Sequence, residues 1–172
     1  MHIYEFLEKY PIFKGNIGNV SRWNQGNCTF YLKNQRESQL LHELCHFVEM
    51  DINRLLLPNF GFKYQLNKLM SLNAAKSMCK RELHTWAYTE NLYNDKYIFT
   101  GWIGEFNYLK DLKYIIYPVD YLESNQEANK LLSWAYGYFE ESLKIYTTEK
   151  FIEDFKVRYE FLESQVKRLV AA

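Results

Sequence analysis

The segment that most constrains the fold covers residues 37–56, which contain neither glycine nor proline. Its apolar residues recur at positions 41, 44, 45, 48, 52 and 55, the spacing that keeps side chains on one face of an α-helix. Pro58 and Gly61 follow and are expected to end this helix. The pattern predicts a long helix with one face buried against the rest of the chain.

Three further segments have helical periodicity, namely residues 73–93, 125–146 and 148–170. Thr148 is a residue type suited to begin the last of these helices. The last two helices are expected to pack together through an aromatic stripe of Trp134, Tyr138 and Phe151 or Phe155. A Gly- and Asn-rich loop is expected at 14–27 and a short strand at 28–34, whereas residues 95–122 have no clear assignment. The expected fold is mainly α, or α+β with a small N-terminal sheet.

Composition and charge narrow the class of protein. The chain of 172 residues is 48% hydrophobic and shows no repeat or linker, so one domain is expected over 1–172. Lysine and arginine total 21 and are balanced by 21 acidic residues, which leaves no basic field for nucleic acid. Within the domain we expect a core around 37–93 that holds the chemistry, and a C-terminal helical pair around 125–170.

Cysteine content and hydropathy predict a cytoplasmic protein. Cys28, Cys45 and Cys79 form an odd set without a CxxC pair, which favours a reducing compartment over a disulfide framework. Glu5 and Glu8 lie where a signal peptide would need an apolar core. No apolar run approaches the roughly 20 residues of a membrane-spanning helix, so no membrane partner is expected.

The motif that carries chemistry is LLHELCHFVE at residues 40–49. His42 and His46 are four residues apart, so on a helix their imidazoles share one face and can bind one metal ion. Glu43 lies about 100° further around the axis, where it can reach a metal-bound water, and it is the candidate catalytic residue. An HExxH sequence also arises by chance, but apolar neighbours on both sides favour a metal site because buried polar groups need compensation.

Two acidic residues are candidates for the third ligand. Glu82 lies in a stripe along one face of the second helix and is the one formal charge in it. The other members of this stripe are mostly apolar, namely Ala75, Met78, Cys79, Trp86, Thr89 and Tyr93. A metal ion would compensate its charge, although a salt bridge to an arginine such as Arg54 would do so as well. Glu49 shares the face of the histidines, but three ligands from one helix would be spread along about 10 Å of its axis. We therefore predict Glu82, with Glu49 and Arg54 as outer-shell or substrate-binding residues.

Two neighbouring residues are not expected to bind the metal. His84 falls on the opposite, more polar side of the second helix, together with Arg81. Cys45 lies inside the motif but points away from the histidine face, so it is expected to behave as a small buried apolar residue.

The motif and the residues after it resemble the elongation factor P hydroxylase family, whose members carry HExxH, then one or two arginines, then a DFGYWY-like stretch. The similarity covers roughly residues 38–93. The matching residues are His42, Glu43, His46, Arg54, Phe60, Gly61, Phe62 and Tyr64, with Glu82 and Trp86 matching a later glutamate and tryptophan. Asn59 and Lys63 depart from the family pattern, where an aspartate and a tryptophan are expected.

The resemblance implies Fe(II) held by two histidines and one carboxylate in an oxygen-dependent hydroxylase. Its substrate would be a protein or amino-acid side chain, with a translation factor as the implied partner. The same residues also suit a zinc metallopeptidase in which Glu43 is the general base. A non-catalytic helical binding protein with a structural metal is the third alternative.

Overall fold

The computed structural model describes residues 3–16, 22–33, 37–56, 69–95 and 121–172. Within these ranges the protein is mostly helical and has one small sheet, which confirms the predicted fold class. The α-helices are α1 (Ile3–Glu8), α2 (Glu37–Glu49), α3 (Leu72–Asn94), α4 (Asn125–Ile145) and α5 (Thr148–Ala171). The strands are β1 (Phe13–Asn16), β2 (Arg22–Asn24) and β3 (Thr29–Lys33).

The sheet has the order β1-β3-β2, with β3 parallel to β1 and antiparallel to β2. β3 coincides with the predicted strand, but β2 and most of β1 lie in the segment predicted as a loop. The turn between β2 and β3 explains this difference, because the Asn24 side chain accepts hydrogen bonds from the Gly26 and Asn27 backbone amides. The Gly and Asn residues thus form a tight turn between two short strands.

Helix α2 ends earlier than predicted, at Glu49, and is followed by a 3-10 turn over Ile52–Arg54. The Asp51 side chain accepts a hydrogen bond from the Asn53 backbone amide and so caps this turn. Aspartate competes with helical hydrogen bonding in this way, which explains the early end. The predicted breakers Pro58 and Gly61 lie outside the described residues.

The three longer helices match their predicted ranges within one residue at each end, and each begins at a hydroxyl-bearing cap. Ser71, Ser124 and Thr147 accept hydrogen bonds from the backbone amides of Ala74, Glu127 and Lys150, respectively. The cap of α5 is therefore Thr147, and Thr148 is its first helical residue. Most of residues 95–122, which had no clear assignment, lie outside the described ranges.

Buried side chains form two clusters that share α3. The first joins α1, the sheet, α2 and α5 through aromatic contacts, such as Phe13 and Phe30 on Phe47 with ring centroids 4.9 and 5.2 Å apart. The second joins α3 to α4 and includes Leu83, Ala87, Leu131 and Phe139. Helix α3 therefore lies between α2 and α4.

The predicted packing of the last two helices through one aromatic stripe is wrong. Phe151 and Phe155 belong to the first cluster, whereas Trp134 and Tyr138 stack on each other and pack against the second. The aromatic residues of α4 and those of α5 therefore pack in different clusters and not against each other. Among the described helices, none combines the length and apolar character needed to span a membrane.

Candidate metal centre

The two motif histidines meet Glu82 where α2 packs against α3. His46 Nε2 lies 3.1 Å from Glu82 Oε1, and His42 Nε2 lies 3.4 Å from Glu82 Oε2. One ligand atom from each of these residues lies within 4.8 Å of the other two. The helical spacing aims both imidazoles in one direction, and packing of α3 on α2 brings the carboxylate to them. The structure therefore unites the three residues predicted as ligands.

These distances suit a shared cation. First-row metals bind imidazole nitrogen and carboxylate oxygen at about 2.1 Å, so two such ligands lie about 3.0 Å apart at a right angle and about 3.4 Å apart at a tetrahedral angle. The two nitrogen–oxygen distances fall in the same range. Two imidazoles and one carboxylate are also the donor types that zinc and iron(II) accept. The group could therefore hold a metal ion.

Burial and neighbouring charges shift the pKa values of the three residues in different directions. Burial favours a higher pKa for the Glu82 carboxyl, but the charge of His46 and the polar contacts with both histidines outweigh it and hold that pKa well below its ordinary value. Burial alone would lower the pKa of His46, yet Glu82 raises it to about 8. The pKa of His42 is lowered by burial and by repulsion from His46. Without metal at neutral pH, the group is an ionised Glu82, a charged His46 and a neutral His42.

Side chains of α3 also surround the outer edges of both rings. Thr85 Oγ1 lies 3.1 Å from His46 Nδ1, and Thr89 Oγ1 lies 3.5 Å from His42 Nδ1. The ring of Trp86 lies over the ring of His42, with centroids 4.0 Å apart and planes inclined by 30°. These contacts restrict the orientations of the two imidazoles.

The remaining predicted residues take separate positions. Glu43 is half-buried, and its negative charge acts on both histidines. Glu49 lies 3.1 Å from His84 Nδ1, although its charge also reaches His46. Arg54 is exposed at the end of the 3-10 turn. Each carboxylate oxygen of Glu82 contacts a motif histidine, whereas Glu49 contacts His84.

Sequence reasoning missed two features of the site. His84 was assigned to a polar face, but it is half-buried between Glu49 and Tyr138, whose hydroxyl lies 2.6 Å from His84 Nε2. The role of Thr85 was also missed, although residues 82, 85 and 89 have the three- and four-residue spacing of one helical face. That spacing is the signal that could have found it.

Cys45 is fully buried, as predicted, and burial raises the pKa of its thiol to about 12. The thiol is therefore protonated at neutral pH, which suits a small apolar residue better than a metal ligand.

Comparison with known proteins found no matching family model, no matching curated protein and no matching solved structure. The part of the hydroxylase resemblance that contains Phe60, Gly61, Phe62 and Tyr64 lies outside the described residues. The candidate function therefore depends on the chemistry of the site and on the sequence resemblance.

Proposed function

We propose that this protein is a mononuclear metal-dependent enzyme whose metal ion is held by His42, His46 and Glu82. The observation that carries the proposal is the convergence of two imidazole nitrogens from α2 and one carboxylate from α3, all within 4.8 Å. A buried carboxylate beside two half-buried imidazoles is costly to desolvate, and a bound cation would offset that cost. Ligands from two helices also leave coordination positions for a substrate or water, as catalytic sites require.

The proposed reaction is hydroxylation of a protein or amino-acid side chain. Two histidines and one carboxylate are the ligand set of non-haem iron oxygenases, and the order of HExxH, Arg54 and Phe60-Gly61-Phe62 resembles the elongation factor P hydroxylases. Bound iron(II) would supply the activation of oxygen. The chain itself would orient the ligands, with Trp86 and Thr85 restricting the two rings.

The accessibility of the site supports a slender substrate group. The side chains of His42, His46 and Glu82 are 13%, 20% and 11% exposed, respectively, in the described part of the chain. A single extended side chain suits such limited access better than a bulky polymer surface. By the same resemblance, the proposed partner is a translation factor that presents this side chain in the cytoplasm.

Elemental analysis of protein purified without chelator and without air tests the metal site. We expect about one metal ion per chain in the wild type and almost none in Glu82→Ala, because two histidines alone bind divalent metals weakly. Glu90→Ala removes another glutamate from α3 and is the matched control, in which metal content should be unchanged. If Glu82→Ala retains its metal, the assignment of the third ligand is wrong.

Zinc-dependent peptide hydrolysis is the second candidate, and the position of Glu43 favours it. This carboxylate follows the first motif histidine directly and acts electrostatically on both imidazoles, as expected of a general base beside a metal-bound water. Glu43→Gln should then abolish peptide cleavage while the protein keeps its metal. Bound iron with oxygen-dependent modification of a side chain supports the hydroxylase instead.

A structural metal in a non-catalytic binding protein is the outcome if neither activity is found. Metal removal should then lower thermal stability without the loss of any turnover. Metal identity measured anaerobically separates the two enzymatic candidates first, because iron supports oxygen chemistry and zinc does not.

A further inference from the structure

We propose that Thr85 and Thr89 are positioning residues that keep the Nδ1 atoms of His46 and His42 protonated, so that both Nε2 lone pairs face the Glu82 carboxylate. This inference rests on the proposed metal site and adds to it the groups that select its ligand atoms. Histidine can bind metal through either ring nitrogen, and the hydrogen bond at one nitrogen decides which of them remains free.

The Thr85 hydroxyl contacts both the backbone of α3 and the ring of His46. Thr85 Oγ1 donates to the backbone carbonyl of Arg81, one helical turn earlier, at 2.9 Å. A threonine hydroxyl has one hydrogen, so while that hydrogen is directed to Arg81, the contact of 3.1 Å with His46 Nδ1 has the ring as donor and Thr85 as acceptor. In this arrangement His46 Nδ1 carries a proton.

Thr89 repeats the arrangement one turn further along α3. Its hydroxyl donates to the Thr85 carbonyl at 2.8 Å, and its oxygen lies 3.5 Å from His42 Nδ1. This second contact is long for a hydrogen bond, so Thr89 should act more weakly than Thr85. Two threonines one helical turn apart thus place their hydroxyl oxygens against the two rings, and Thr89 also hydrogen-bonds with the Cys45 thiol.

Protonation of Nδ1 determines what the opposite ring nitrogen, Nε2, presents to Glu82. In the neutral form with Nδ1 protonated, each Nε2 has a lone pair and no hydrogen. Each Nε2 also lies close to a carboxylate oxygen of Glu82, at 3.1 Å for His46 and 3.4 Å for His42. Two hydrogen-bond acceptors are then in contact without a hydrogen between them. Only a proton or another cation between these atoms makes the contact favourable. The threonines therefore prepare a position where two imidazole nitrogens and the Glu82 carboxylate can share a cation.

The tautomer can be measured directly by NMR of the metal-free protein with ¹⁵N-labelled histidine, at alkaline pH where the rings are neutral. We expect His46 and His42 in the Nδ1–H form. Thr85→Val keeps the size of the side chain but removes its acceptor, so the Nε2–H form of His46 should increase. Zinc affinity, titrated against a chelator, should fall about tenfold to a hundredfold.

Two further variants separate positioning from packing. Thr85→Ser retains the hydroxyl and should restore both the tautomer and the zinc affinity. Ser142→Ala removes a comparable hydroxyl-to-carbonyl hydrogen bond in α4, from Ser142 Oγ to the Tyr138 carbonyl at 2.7 Å, and should change neither. Thr89→Val should have a smaller effect than Thr85→Val, centred on His42.

The outcomes for the inference and for the proposed function are distinct. A wild-type His46 with its proton on Nε2 overturns the inference, as does an unchanged tautomer in Thr85→Val. The wild-type spectrum alone decides the first point, so the test stands even where the valine variant does not fold. If the Nδ1–H form is found but zinc does not bind, the inference holds and the proposed metal site is wrong.

Discussion

His84 Nδ1 lies 3.1 Å from Glu49 Oε1, so the acid that shares a helix face with the motif histidines is already paired with α3. The opposite edge of the same ring contacts the Tyr138 hydroxyl at 2.6 Å, and its face stacks on Tyr146 with centroids 4.3 Å apart. Glu49, His84 and Tyr138 thus join α2, α3 and α4 in one chain of contacts. This chain lies beside the candidate metal centre, where Glu82 contacts His42 and His46.

The first prediction concerns the two competing acids. Glu49→Gln should keep full zinc binding, measured by titration calorimetry, because Glu49 contacts His84. It should also lower the free energy of unfolding by about 1–3 kcal/mol, since it weakens a hydrogen bond to a half-buried ring. Glu82→Gln should lose zinc binding. Loss of zinc in Glu49→Gln with an intact fold would make Glu49 the third ligand.

The second prediction concerns the Tyr138 hydroxyl. Tyr138→Phe removes the contact of 2.6 Å with His84 Nε2 and should cost about 1 kcal/mol of stability, measured by urea denaturation. Tyr159→Phe is the control, because its half-buried ring stacks on Phe155 in α5, away from this chain of contacts, and should change stability by less than about 0.5 kcal/mol. Equal effects of the two substitutions would contradict the assignment.

The third prediction is that metal binding depends on pH through His46. The pKa of His46 is raised to about 8, so at neutral pH this ring carries a proton that the metal must displace. Zinc affinity should therefore rise about tenfold per pH unit below pH 8 and level off above it. Titration calorimetry in buffers of different ionisation enthalpy should detect the release of about one proton per metal ion at pH 7.

The fourth prediction concerns the stability of the metal-free protein. His46 has a folded pKa of about 8 against an ordinary value of 6.5, so its contribution is complete below pH 6.5 and is lost as pH rises through about 8. Chemical denaturation should show a total loss of about 2 kcal/mol from well below pH 6.5 to well above pH 8.

Two conditions serve as controls for this prediction. The lowered pKa of His42 keeps that ring neutral in the folded chain above pH 6.5, so its contribution to stability rises slightly with pH and cannot produce the expected loss. With saturating zinc the slope should reverse, because zinc then stabilises the folded chain more at higher pH. A metal-free protein whose stability is flat between pH 6.5 and 8 would contradict the pairing of His46 with Glu82.

Local sequence determined the three long helices α3, α4 and α5 and the motif that lies on α2. The spacing of apolar residues in α3, α4 and α5, together with Ser71 and Ser124 as caps, is sufficient to place these elements. His42 and His46 share a face because four residues complete about one helical turn. Glu82 was identifiable as a charge in an apolar stripe, since an unpaired carboxylate is costly to bury.

Tertiary structure decided what those residues meet. Glu49 and Glu82 were both chemically suitable third ligands, and only the packing of α3 on α2 pairs one with His84 and the other with the motif histidines. The partners of Trp134 and Phe155 likewise depend on the position of each helix, because an apolar stripe specifies burial but not its neighbour. Local propensity acts over a few residues, whereas a metal site needs atoms from segments about forty residues apart to meet within a few ångströms, which only the folded chain achieves.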